Sequence, residues 1–158
     1  MKIAVGCDHA GFPLKDRIVK EIESRGHQIL DLGAYDEQPS DYPDFAKAVG
    51  LAVAGGQADR GVLICGSGVG ASIAANKVPG ARAALCHDSF SARQGVEDDD
   101  MNVLCIGARV IGSELATEVL GSYLKAQFSD AERHRRRLSK VKAIEQQFCD
   151  PAAVTKAK

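Results

Sequence analysis

Gly61-Val62-Leu63-Ile64-Cys65-Gly66-Ser67-Gly68-Val69-Gly70-Ala71-Ser72 is the stretch that decides how this chain folds. Gly61–Cys65 is an unbroken apolar run, the pattern of a strand covered on both faces. Alternate glycines follow it, and a helical stretch begins near Val69. A strand running through a glycine loop into a helix is the first half of a βαβ unit. The loop backbone can approach a ligand closely, and the free N–H groups at the helix start face the same space. That makes a cradle for a phosphate or an oxyanion. Cys65 stands at its lip, where such donors favour thiolate and lower the thiol pKa from about 8.5. Without its surroundings, the stretch reads equally well as a tight turn behind a buried structural cysteine. Gly66-x-Gly68-x-x-Ala71 also fits the dinucleotide fingerprint, with Asp88 at about the 20-residue spacing of a ribose-binding acid. The helix is short for that purpose, and the chain leaves no length for a substrate domain.

Working outward, short apolar runs alternate with helical periods from end to end. Lys2–Cys7 reads as a strand, and Leu14, Ile18, Val19 and Ile22 recur at helical spacing up to a stop at Gly26. Gln28–Leu32 is a second strand. A polar loop, Ala34 to Pro43, leads to a helix over Phe45, Val49, Leu51 and Val53, closed by Gly55-Gly56. Beyond the glycine loop come strand Arg82–Cys86, helix Ser89–Gly95, strand Val103–Gly107 and helix Ser113–Phe128. Strands alternating with helices pair in parallel through right-handed crossovers. The expected fold is α/β: a doubly wound, Rossmann-like three-layer sandwich on a five-stranded parallel sheet. A last helix, Glu132 to Phe148, has little apolar face and is expected to pack on a partner subunit. Residues 1–148 then form a single domain, and 149–158 a flexible tail.

Composition narrows the function. The chain has 158 residues, and Lys plus Arg number 20 against 21 Asp plus Glu, a formal charge of -1. So even a balance argues against nucleic acid as a partner. No apolar run approaches the roughly 20 residues that span a bilayer, and the first residues are too short an apolar stretch for a signal peptide. The five cysteines lack metal-ligand spacing and their number is odd, so a reducing cytoplasm fits best and no metal site is expected.

In an open parallel sheet, ligands bind beyond the carboxyl ends of the strands. That selects Cys7-Asp8-His9, the Cys65–Gly70 loop, His87-Asp88 and Gly107-Ala108-Arg109. Asp8 and His9 can orient a sugar hydroxyl or move a proton, and they read equally as a helix cap with an exposed ring. Ser40-Asp41-Tyr42-Pro43 spells a helix start or a side chain laid over a site. Arg133 and Arg137, four apart on one helix face, can clamp a dianionic phosphate, although a basic run is usually a solvated face. Glu97-Asp98-Asp99-Asp100 reads as an exposed acidic turn.

Taken together, Gly6-Cys7-Asp8-His9-Ala10-Gly11, Asp41-Tyr42-Pro43, Cys65–Gly70 with Asn76-Lys77, Asn102-Val103-Leu104 and Arg133-His134-x-x-Arg137 closely resemble type B ribose-5-phosphate isomerases. That family includes galactose-6-phosphate isomerase subunits, and the likeness runs from residue 1 to about 148. It implies a cofactor-free aldose–ketose isomerase that works through a cis-enediolate, a homodimer or homotetramer with a small phosphorylated sugar as its partner. By that resemblance Cys65 is the base, and the loop Gly66, Ser67, Gly68, Val69 and Gly70 binds the enediolate oxygen. Asp8, His9 and Tyr42 meet the sugar or its phosphate. Arg109, Arg133 and Arg137 hold the phosphate, part of it across a subunit interface. Some relatives carry a Glu after the glycine loop; Ala71 stands there in this chain, which leaves the role to Cys65. Where relatives often have a ring-opening His followed by Asn, this chain has Asp98 and Asp99. If Asp98 takes that ring-opening place, crowding by the neighbouring acids is expected to keep it protonated part of the time; otherwise His9 opens the ring or the enzyme waits for open-chain sugar. Six-carbon and four-carbon phosphosugars, and a nucleotide-binding module without chemistry, are the competing readings.

Overall fold

The computed structural model describes residues 1–149. Its elements run β1 (Lys2–Cys7), α1 (Phe12–Ser24), β2 (Gln28–Asp31), α2 (Tyr42–Ala54), β3 (Arg60–Cys65), α3 (Val69–Ala75), β4 (Ala83–Leu85), α4 (Ser89–Asp99), β5 (Val103–Gly107), α5 (Ser113–Lys125) and α6 (Glu132–Phe148). The sheet has five strands in the order β2-β1-β3-β5-β4, and every pair is parallel. Alternation of side chains along the strands divides the core into two layers. Ile3, Val5, Val62, Ile64, Leu104 and Ile106 face α1, α4 and α5. Ala4, Leu63, Cys65, Val103 and Cys105 face α2 and α3. This is the expected doubly wound α/β sandwich. Among the described residues no helix is long and apolar enough to cross a membrane.

The strand order locates the site. From β1 the chain crosses outward to β2, whereas from β3 it passes over the position of β5 to the edge strand β4. The two connections leave adjacent strands on opposite faces, and the gap between them is the crevice where ligands enter such sheets. Two close approaches fix this region. Val49 of α2 fills the space left by Gly6, where a side chain would meet its Cγ2 at 2.7 Å, so α2 lies low on β1. The turn after β1 rides over the end of β3, with Gly11 directly above the Ile64 carbonyl.

Two helix ends differ from the sequence reading by more than a residue or two, each for a physical reason. Gly95 does not end α4; the Met101 sulfur covers it, and the helix runs on through Asp99. Asp100, at φ 52, makes the left-handed turn that closes it. The acidic run is therefore the last turn of a helix rather than a free turn. Carboxylates there oppose the helix dipole, and Arg82 takes up the Asp100 charge at 2.6 Å. Helix α5 stops at Lys125 because Ala126 is extended, its carbonyl held by the Arg60 guanidinium at 2.7 Å.

Helix α6 buries only His134 and Leu138 on its own chain. Val141, Ile144 and Phe148 stay exposed beside Ala83, Ala84 and Met101, lining a cavity of about 710 Å³. The tail expected from residue 149 onward lies, apart from exposed Cys149, outside the described residues.

The contact of the β1 turn with β3 yields a stability prediction. A methyl group at position 11 overlaps the Ile64 carbonyl, which belongs to the central sheet and cannot yield. Gly11→Ala should lower the unfolding free energy by about 2–3 kcal/mol, read as a reduced urea midpoint with an unchanged slope.

Candidate active site

Cys65 and Asp8 meet at the crevice. Register pairs Cys7 with Ile64, and Cys65 with Gly107, so the loops after β1, β3 and β5 emerge side by side. The Asp8 N–H donates to the Ile64 carbonyl. Its carboxylate, 5% exposed, accepts from the Gly11 N–H at 2.8 Å through Oδ1. The other oxygen, Oδ2, accepts from the Cys65 thiol at 3.3 Å. Asp8 thus does make the turn bond of a helix entrance, but it spends only half of its carboxylate on it.

The glycine loop closes over the sulfur. Gly68 adopts φ 79, the left-handed conformation that turns the chain into α3. The backbone N–H groups of Gly66 and Gly68 point at Cys65. Tyr42, first residue of α2, lays its ring against Gly70, where a side chain would come within 2.7 Å of Cζ. Ser67 and Val69 stay exposed at the rim.

The sequence reading expected a thiol acidified by these donors. The structure corrects it: burial pushes the Cys65 thiol up, and the Asp8 carboxylate adds to the rise, while the Gly68 and Gly66 N–H groups offset only part of it. A carboxylate beside a sulfur disfavours the thiolate. Cys65 rests as a thiol whose proton faces an acceptor.

His9 is fixed from the α2 side. Its backbone N–H donates to Ser40 Oγ at 3.0 Å, and the Ser40 N–H donates to the ring Nδ1 at 3.1 Å. Nδ1 also stands 3.2 Å from the Ser40 carbonyl, so the Ser40 backbone holds the ring through both its N–H and its C=O. His9 lines a cleft of about 390 Å³ together with Arg109, Glu37, Gly112 and Ser113. The Arg109 side chain reaches the edge of Gly66, and the Arg109 backbone N–H donates to the Gly66 carbonyl. Beyond β4, His87 Nε2 accepts from the Gly107 N–H at 2.9 Å. Asp88, the alternative ribose ligand, instead caps α4 by accepting from the Ser91 N–H.

Asp8, His9, Tyr42, Cys65, the loop Gly66–Gly70 and Arg109 therefore gather at one end of the sheet. Asp98, Asp99, Arg133 and Arg137 do not join them on this chain. Helix α4 leaves the carboxyl end of β4 and returns to the start of β5, so its last turn stands about 15 Å away along its axis. Asp98 accepts there from Gln94 at 3.0 Å and lies 3.5 Å from His134 of α6. Arg133 and Arg137 are exposed on the same helix. The candidate residues form two groups at opposite ends of the sheet.

Known proteins resemble this chain over most of its length. The family described as Ribose/Galactose Isomerase matches residues 3–141. Ribose-5-phosphate isomerase B of Escherichia coli strain K12 is 48% identical over 145 residues, which make up 92% of this chain and 97% of that protein. The Clostridium thermocellum ribose-5-phosphate isomerase B structure superposes with a TM-score of 0.91 at 45% identity, covering 94% of this chain and 99% of that one. The Mycoplasma genitalium ribose-5-phosphate isomerase B structure with bound ribulose-5-phosphate gives 0.87 at 36% identity, covering 92% and 97%. Fold and extent of match agree, and the chain belongs to the ribose/galactose isomerase family.

Proposed function

We propose that this protein interconverts ribose 5-phosphate and ribulose 5-phosphate through a cis-enediolate, with Cys65 as the base. The observation that carries the reading is the Cys65 thiol 3.3 Å from the Asp8 carboxylate, beneath the N–H groups of the glycine loop. Asp8 receives the thiol proton, and the thiolate takes the proton from C2 of the open-chain aldose. The electron pair moves onto O1, where the Gly66–Gly70 donors stabilise it. Protonated Asp8 gives its proton to O1 and takes the one on O2. Cys65 then returns its proton to C1, which leaves the ketose. Asp8 passes its proton back to the sulfur, and the pair is restored. The 48% identity to ribose-5-phosphate isomerase B of Escherichia coli and the ribulose-5-phosphate bound to the Mycoplasma genitalium relative support a five-carbon phosphosugar as substrate. Four buried free thiols, Cys7, Cys65, Cys86 and Cys105, fit a reducing cytoplasm.

The active unit is at least a homodimer. Asp98, Asp99, Arg133 and Arg137 of one copy complete the site that Cys65 opens in the other, and the exposed Val141, Ile144 and Phe148 belong to the interface between them. Asp98 then supplies the proton that opens the sugar ring, while Arg109 with the partner copy's arginine pair holds the phosphate.

Cys65→Ala should keep the fold and lower kcat by about 10²–10⁴-fold, the usual loss of a general base, and free ribose should be turned over far more slowly than ribose 5-phosphate. Equal turnover of the two sugars refutes the phosphate clamp. Asp8→Asn removes the negative charge beside the sulfur, so the pH midpoint of Cys65 alkylation by iodoacetamide should move down; an upward shift contradicts the proton route. Mixing the inactive variants Cys65→Ala and Arg133→Ala under subunit exchange should regain part of the activity, because a mixed dimer holds one intact site. No recovery, with exchange verified by mass spectrometry, rules out the shared site.

A further inference from the structure

We infer that Ser129 and His134 are positioning residues that hold the Arg133 guanidinium by its Nε–H and leave its outer edge free for the phosphate. The inference rests on the proposed anion-binding role of Arg133. His134 is 3% exposed, a polar ring enclosed between α6 and the end of α4. Arg133 Nε donates to its Nε2 at 2.8 Å. A guanidinium N–H can only donate, so Nε2 carries the lone pair and the ring proton sits on Nδ1. That proton is donated to Ser129 Oγ at 2.6 Å.

Ser129 is itself anchored. Its N–H donates to the Glu97 carbonyl at the end of α4, and its Oγ also accepts from the Ala131 N–H. Asp130 holds the turn in the left-handed region at φ 52, with Arg135 donating to its carbonyl and its carboxylate. The chain of donors therefore runs from Arg133 through His134 to a turn docked on α4. Asp98 Oδ1 stands 3.5 Å from the same Nε2, farther than the Arg133 N–H that takes the lone pair. Binding Arg133 through Nε uses the one donor that points back toward its own stem. Among the described residues, none makes a hydrogen bond to the two Nη groups, which are the pair that grips an anion bidentately. A guanidinium already oriented loses less freedom when phosphate arrives.

Inorganic phosphate binding to the intact protein tests this, alongside ¹⁵N NMR of the histidine rings. Ser129→Ala should weaken phosphate binding by roughly five-fold, the loss of one hydrogen bond, and Ser129→Thr should restore it. In an Arg133→Ala background, Ser129→Ala should have no further effect. His134 should show a protonated Nδ1 and a bare Nε2. His134→Phe should weaken binding by roughly ten-fold or more; because that ring is buried, exposed Ser129 remains the decisive position. The inference is overturned if Ser129→Ala binds phosphate like the parent, if the loss persists without Arg133, or if Nε2 carries the proton and pairs with Asp98. Failure of the parent to isomerise ribose 5-phosphate is a separate result. It removes the proposed activity and leaves the NMR and phosphate readouts intact.

Discussion

The turn after β1 lies on the end of β3, and the placement of the site follows from that contact. It requires a residue without a side chain at Gly11, directly above the Ile64 carbonyl. The Asp8 N–H then bonds the same carbonyl, and among the described residues Cys65 is the one ionisable side chain hydrogen-bonded to the Asp8 carboxylate. A shift of the turn by one residue would present His9 or Cys7 in its place. The strand order makes the contact available, since only at the divergence between β1 and β3 do two loops open toward each other without a helix between them.

A buried carboxylate needs its lone pairs occupied. Here one oxygen takes a backbone N–H and the other takes a thiol, which is a weak donor. The bond to Gly11 is firm and the one to Cys65 is loose. Their difference suits a pair that exchanges a proton, because the carboxylate is held in place by one oxygen while the other stays available. The thiol rests protonated for the same reason that it can act: burial and the adjacent anion oppose charge on sulfur until the proton has a destination. A thiolate at rest would be exposed to oxidation and alkylation throughout the life of the protein.

The candidate residues Asp98, Asp99, Arg133 and Arg137 lie at the far end of the sheet because α4 carries the chain there. The last turn of α4 and the first turn of α6 are packed together through Asp98, His134 and the 128–131 turn. Here charged groups cluster with little apolar cover, and α6 continues past them with Val141, Ile144 and Phe148 uncovered. The arginines, the acids and the apolar stripe thus share one surface of the molecule. A second copy docked on that surface both covers the stripe and brings the charged groups to a crevice, which is how we read its composition.

What the sequence determined by itself is what local chemistry dictates. The run Gly61–Cys65, the glycine loop and the alternation of apolar runs with helical periods specify the layered α/β fold, since each element must bury its own apolar face. The motifs around Asp8, Cys65 and Arg133 name the family. Where the sequence misled, the cause lay in a distant neighbour. Gly95 reads as a helix stop until Met101 covers it, and Cys65 reads as acidified until the fold buries it and places Asp8, 57 residues away, against it. The tautomer of His134 belongs to the same class, because it is set by Arg133 and Ser129 through folded contacts. Only the tertiary structure decided that Asp98 and Arg133 stand apart from Cys65 on one chain. The spacing of residues along a sequence fixes which face of a helix they share, but not which end of the sheet that helix reaches.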